Sequence, residues 1–147
     1  MMTIKQDISQ LFLRVGLGAS YLCAGLDRLG AWGPPGASHV SWGDWQHFMQ
    51  YAAQLMFFLP YSVAEIFAGI ASGAEIIFAI LLITGFRTRW AAIGSGVLLL
   101  GFALAMTIAL GIAAPLNYSV LTASAGSFLL STLPAYRWSI DGIRKSA

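Results

Sequence analysis

Four long apolar stretches carry this chain, and two of them hold charges. Residues 8–26, 61–86, 90–114 and 116–134 each read as one membrane span. A helix needs about 20 apolar residues to cross a hydrocarbon core of about 30 Å. Arg14 falls inside the first stretch, and Glu65 and Glu75 fall inside the second. An ionisable side chain at membrane depth is costly and is a functional candidate by default. The expected fold is an all-α integral membrane protein, a four-transmembrane-helix bundle with a polar spot in its interior.

Composition points the same way. The 147 residues are 58% hydrophobic and only 10% charged, against about 25% charged in a soluble domain. Four spans and one long connection use the whole length, so 1–147 reads as a single membrane domain without a soluble catalytic module. A net charge of +2 is too small to argue for nucleic acid. The lone Cys23 excludes a C-x-x-C motif, a disulfide framework and a thiolate metal site. The first stretch is expected to be retained, since Arg14 interrupts it and no A-x-A site precedes Asp27 and Arg28.

Basic residues give an orientation. Four spans put both termini and the 87–89 turn on one side, with Lys5, Arg87, Arg89, Arg137, Arg144 and Lys145. The other side has only Arg28. The positive-inside rule then predicts cytoplasmic termini and places the 27–60 connection outside.

That connection holds a further helix. Gly33-Pro34-Pro35-Gly36 is turn chemistry. Ser41 reads as an N-cap, with Asp44 three residues on. Trp45, Phe48, Met49, Ala52, Leu55, Met56 and Leu59 then fall on one helical face, with Gln46, His47, Gln50 and Gln54 on the other. The segment is too polar to span. It is expected to lie in the outer interface, anchored by Trp42 and Trp45, or to fold back over the bundle. Gly69-x-x-x-Gly73 in the second span, and small residues in the third and fourth, read as helix-packing positions.

The charges suggest pairings. Glu75 lies near the midplane, and Arg14 is long enough to reach it, so an Arg14–Glu75 pair is expected. Such a pair reads either as a structural lock or as the polar anchor of a ligand site. Asp27 and Arg28 end the first helix at the level assigned to Glu65, so an Arg28–Glu65 contact is also expected. Trp42, Trp45 and His47 complete the candidate ligand-binding set with Arg14, Asp27, Arg28, Glu65 and Glu75. His39 and His47 lack the spacing of a known metal site, and His47 reads better as a hydrogen-bonding surface residue. Trp32, Trp42, Trp45 and Tyr51 read as interfacial anchors or as a pocket wall. No phosphate loop, nucleophile motif or carboxylate dyad appears, so no catalytic residue is assigned.

Arg14-x-x-x-Gly18, Gly25-x-x-Arg28, Glu75 ten residues before Gly85, and Phe86-Arg87-Thr88-Arg89-Trp90 together resemble the DoxX family. The resemblance implies a four-helix inner-membrane protein of bacteria or archaea. It also implies a role as subunit or accessory of a quinone-linked oxidoreductase, with quinone as ligand and a redox-protein partner or a second copy of the chain; without a metal or flavin motif, no intrinsic cofactor is expected. Arg28 where the family often has lysine, and the Trp-rich inserted helix, depart from its pattern. Two other classes stay open: a membrane binding or transport protein for a small molecule, and a structural scaffold.

Overall fold

The computed structural model describes residues 3–146, with side chains through Arg144. The described residues form seven helices and no strand: α1 (Ile4–Arg28), α2 (Trp45–Leu55), α3 (Tyr61–Thr84), α4 (Thr88–Leu110), α5 (Ala113–Asn117), α6 (Val120–Thr132) and α7 (Ile140–Ser146). α1 opens on a capping box, in which Thr3 and Gln6 each satisfy the other's backbone N–H. α3 stops at Gly85, whose φ of 68° is the left-handed turn a glycine accepts freely.

α3 and α4 are long and apolar enough to cross a membrane, with mean hydropathies of 2.3 and 2.2. Only 28% of each apolar window is buried. A soluble core helix would be mostly enclosed. Here Ile66, Ile70, Ile77 and Ile80 on α3, and Val97, Leu104 and Ile108 on α4, face outward. An apolar exterior of that extent is consistent with a lipid environment.

α1 repeats this inverted pattern. Its outward residues include Ile4, Ile8, Phe12 and Val15, while Asp7, Arg14, Tyr21 and Arg28 are buried. These four polar residues recur every seventh position, two helical turns apart, and so line one face. At 25 residues, α1 is about 37 Å long.

The expected fourth span is not one helix. Ser119 takes a left-handed φ of 56° and divides α5 from α6. α6 has 13 residues, or about 20 Å, short of the hydrocarbon thickness. Among the described residues, two helices, α3 and α4, meet the length and hydropathy requirement of a span.

α1 runs antiparallel to α3, with Gly18 against Ile83 and Gly25 against Ile76. This register ends α1 opposite Ser72, roughly 16 Å along α3 from its start at Tyr61. α2 covers the part of α3 that α1 leaves open. Its Phe48, Met49 and Ala52 pack with Ala68. Gln46, His47, Gln50 and Gln54 stay exposed, so the two predicted faces of this helix are the observed ones. α2 thus packs against the bundle. Its N-cap is Asp44 rather than Ser41, because the Asp44 carboxylate accepts from His47 N–H at 2.8 Å. In the preceding loop, Gly43 takes a φ of 76° and sits so close to Pro34 and Pro35 that a Cβ would strike their backbone.

Gly69 and Gly73 do not pack helices together. Both are exposed, and nothing lies within 4 Å of a Cβ built on either. Ala64, Ala68, Ser72 and Ala79 form the buried face of α3 instead.

Candidate functional site

α1 ends by placing Arg28 inside the protein. Its Nη1 donates to Glu75 Oε2 in a short ion pair and to Ser72 Oγ at 2.7 Å. Both charged side chains are buried. Glu75 is one helical turn from Ser72, so one face of α3 presents both acceptors. Two aromatic rings close over the guanidinium. Its carbon stands 4.2 Å from the centre of Phe48 and 5.3 Å from that of Trp42. A desolvated cation over such faces gains about 2 kcal/mol. The two rings meet edge to face at 5.3 Å.

Asp27 fixes this lid. Its Oδ2 accepts from Trp42 N–H at 2.8 Å, while its buried Oδ1 has no partner. Adjacent residues therefore do different work: Arg28 turns inward to Glu75, and Asp27 ties down the chain entering α2. Deeper in the bundle, the Tyr21 hydroxyl lies beside Ser95 and Ser127. Arg28 Nε is a buried donor without a hydrogen-bond partner. Ser124 donates to Gly96 O at 2.8 Å. A polar core thus extends from the end of α1 toward α4 and α6.

The expected Arg14–Glu75 pair does not form. Arg14 lies at the other end of α1, beside Gly85, where its Nη2 donates to Trp138 O at 2.7 Å. Gln10 Nε2 donates to Arg137 O at 2.9 Å, and Arg137 pairs with Asp7 at 3.2 Å. Asp141 accepts from the N–H groups of Arg87 and Thr88. The C-terminal segment is thereby bound to the start of α1 and to the α3–α4 turn. The antiparallel register explains the exchange: it brings Arg28, not Arg14, to the level of Glu75.

The expected Arg28–Glu65 contact is absent for the same reason. Glu65 lies seven residues before Ser72 and is exposed. His47 is exposed as well, with Nδ1 2.9 Å from Asp44 Oδ1. Hydrogen bonds from His47, the backbone N–H foremost, hold the Asp44 carboxyl below its ordinary range. Trp45 packs beside Phe48, with ring centres 5.3 Å apart, and so supports the lid from behind. Among the described residues, no three His, Cys, Asp or Glu side chains are grouped to share a metal ion.

Phe48, Ser72 and Tyr21 belong to this site although sequence reasoning did not assign them to it. The seven-residue recurrence of Asp7, Arg14, Tyr21 and Arg28 was the signal for Tyr21. It identifies the inward face of α1 and puts Tyr21 two turns from Arg28.

The family profile described as "Methylamine utilisation protein MauE" matches residues 6–117 of the 147. This chain belongs to the MauE family. The match takes in α1 through α5, and with them Arg28, Trp42, Phe48, Ser72 and Glu75. It replaces the DoxX assignment, whose short motifs describe a charged helix pair and an arginine-rich turn without specifying a family. No curated protein and no solved structure matches the chain.

Proposed function

We propose that this MauE-family chain is a membrane-embedded accessory protein of an amine-oxidising redox system, with the Arg28–Glu75 centre as its working site and a quinone as its ligand. The ion pair itself carries this reading. A buried ion pair is a poor source of stability, because desolvation offsets most of the attraction. Charges kept inside a membrane bundle are a functional candidate by default. Membership of a family of methylamine utilisation proteins supports a role in that redox process. A quinone head group needs donors for its two carbonyl oxygens and a flat surface beside its ring. Arg28 Nε is an unpartnered buried donor, the buried hydroxyls of Tyr21 and Ser127 are further donors, and Phe48 and Trp42 supply ring faces. A redox-protein partner would exchange the electrons.

In this reading α1, α3, α4 and the α5–α6 pair each traverse the bilayer of a bacterial or archaeal inner membrane. Six of the eight basic residues belong to the end where the termini and the α3–α4 turn meet, so that end is cytoplasmic. The test is to purify the wild type and Glu75→Gln in detergent and quantify co-extracted quinone. The wild type should retain quinone, and the variant, purified below its lowered melting temperature, should lose it. Wild-type protein free of quinone, or equal retention by both, contradicts the quinone assignment.

One observation favours a second reading, binding of a small organic cation. A cleft of about 490 Å³ is lined by Cys23, Asp27, Trp32, His39, Ser41 and Trp42. A carboxylate, that of Asp27, lining a cleft with two indole rings suits an alkylammonium ion such as methylammonium. Saturable methylammonium binding lost in Asp27→Asn would support it over the quinone reading.

A further inference from the structure

A second charged site lies at the opposite end of the bundle from Trp42. A cavity of about 320 Å³ opens between the start of α4 and the C-terminal segment, with Arg87, Arg89, Arg144 and Trp90 among its walls. We propose that this cleft binds the phosphate group of an anionic phospholipid.

Charge is the first argument. Three arginines and one carboxylate, that of Asp141, line the cleft. That carboxylate accepts from the backbone N–H groups of Arg87 and Thr88 at 2.9 and 2.7 Å. None of the three guanidinium groups is in a salt bridge among the described residues. The cleft is therefore strongly positive, and guanidinium groups bind phosphate oxygens in pairs.

The arginines are also positioned. Those of residues 87 and 144 stand 6.0 and 5.7 Å from the centre of the Phe86 ring. Arg89 Nε donates to Ser131 O at 3.0 Å, which holds the guanidinium by one edge. Arg87 itself takes a left-handed φ of 48°, a conformation that β-carbon residues seldom adopt. The Asp141 carboxylate on its N–H secures that turn. Backbone strain held in place beside a charged cleft is common at binding sites.

Location selects the ligand. Trp90 is the third residue of α4, an apolar helix with a mean hydropathy of 2.2, and is 69% exposed. An exposed indole at the start of such a helix belongs at the headgroup level. Ile140 and Ile143, on the C-terminal helix that brings Arg144, are exposed too. The cleft has room for a headgroup, and a diacyl lipid could keep its chains along the outward side chains of α4. Basic clusters at this level recognise anionic lipids.

The test reconstitutes the full chain in nanodiscs of equal phosphatidylglycerol and phosphatidylcholine, then reads the lipid retained by native mass spectrometry. Phosphatidylglycerol should be enriched on the wild type. Each of Arg87→Gln, Arg89→Gln and Arg144→Gln should lower the enrichment about fivefold. Arg144→Lys, which keeps the charge, should preserve most of it. The wild-type comparison of the two lipids stands even if a variant fails to fold. Equal retention of the two lipids by the wild type overturns the proposal. So does undiminished enrichment in all three glutamine variants. A second arm titrates inorganic phosphate into detergent-solubilised protein. Saturable phosphate binding without phosphatidylglycerol enrichment assigns the cleft to a free anion and overturns the lipid assignment.

Discussion

Arg28, the last residue of α1, forms its ion pair with Glu75 in the middle of α3, because α1 ends partway along its antiparallel neighbour. The step left by the shorter helix is filled by α2, whose Phe48 and the preceding Trp42 cover the guanidinium. One register thus creates the pair, shields it and leaves it at the junction of three helices.

Breaking that pair from one side leaves a buried charge alone. Arg28→Ala and Glu75→Ala should each destabilise the protein by about 3–5 kcal/mol. The double replacement Arg28→Met with Glu75→Leu should recover most of the loss, since apolar isosteres remove both desolvation penalties. Thermal unfolding in detergent measures all three. A Met/Leu double variant no more stable than the single alanine variants would mean that desolvation of the two charges is not the cost.

Glycines separate the observed packing from the expected one. A Cβ at Gly18 would come within 2.7 Å of Ile83 Cγ1 and 3.0 Å of Ala79 O. Gly18→Ala should cost about 1–3 kcal/mol through forced separation of α1 and α3. Gly73→Ala meets open space and should be neutral or stabilising by up to about 1 kcal/mol through helix propensity. Melting temperatures of the two variants decide, and the reverse order would restore Gly69-x-x-x-Gly73 as a packing motif.

These outcomes trace what the sequence made legible. The apolar runs marked α3 and α4, and amphipathic periodicity marked α2 with its faces correctly assigned. The division of the last stretch at Ser119 was hidden, because a left-handed serine leaves hydropathy unchanged. The charged residues were recognisable one by one, but their partners were not. Pairing depends on how far α1 slides along α3. That offset is set by the close approach of Gly18 and Gly25, neither of which carries a hydropathy signal. The wrong level for Glu65 followed from aligning the end of α1 with the start of α3.

The start of α2 should respond to acid. Hydrogen bonds from His47 hold the Asp44 carboxyl below its ordinary value, so the ionised form is favoured in the fold. A lowered folded value contributes stability that is present above the unfolded value of about 4 and is lost as pH falls through the folded one. Hydrogen exchange at the first turn of α2, corrected for intrinsic rate, should accelerate below about pH 4. Asp44→Asn should abolish this pH dependence while retaining a cap. A wild-type first turn insensitive to acid would remove Asp44 from that role.

The most direct test of the Arg28–Glu75 centre is growth on methylamine in a host that has lost its own MauE-family gene. The wild-type chain should restore growth. Glu75→Gln and Arg28→Lys, present in the membrane at wild-type levels, should not restore it. Glu65→Gln, altered at an exposed position on the same helix, should restore it fully. Restoration by Glu75→Gln equal to that by the wild type would contradict the account, and so would failure of the wild-type chain itself.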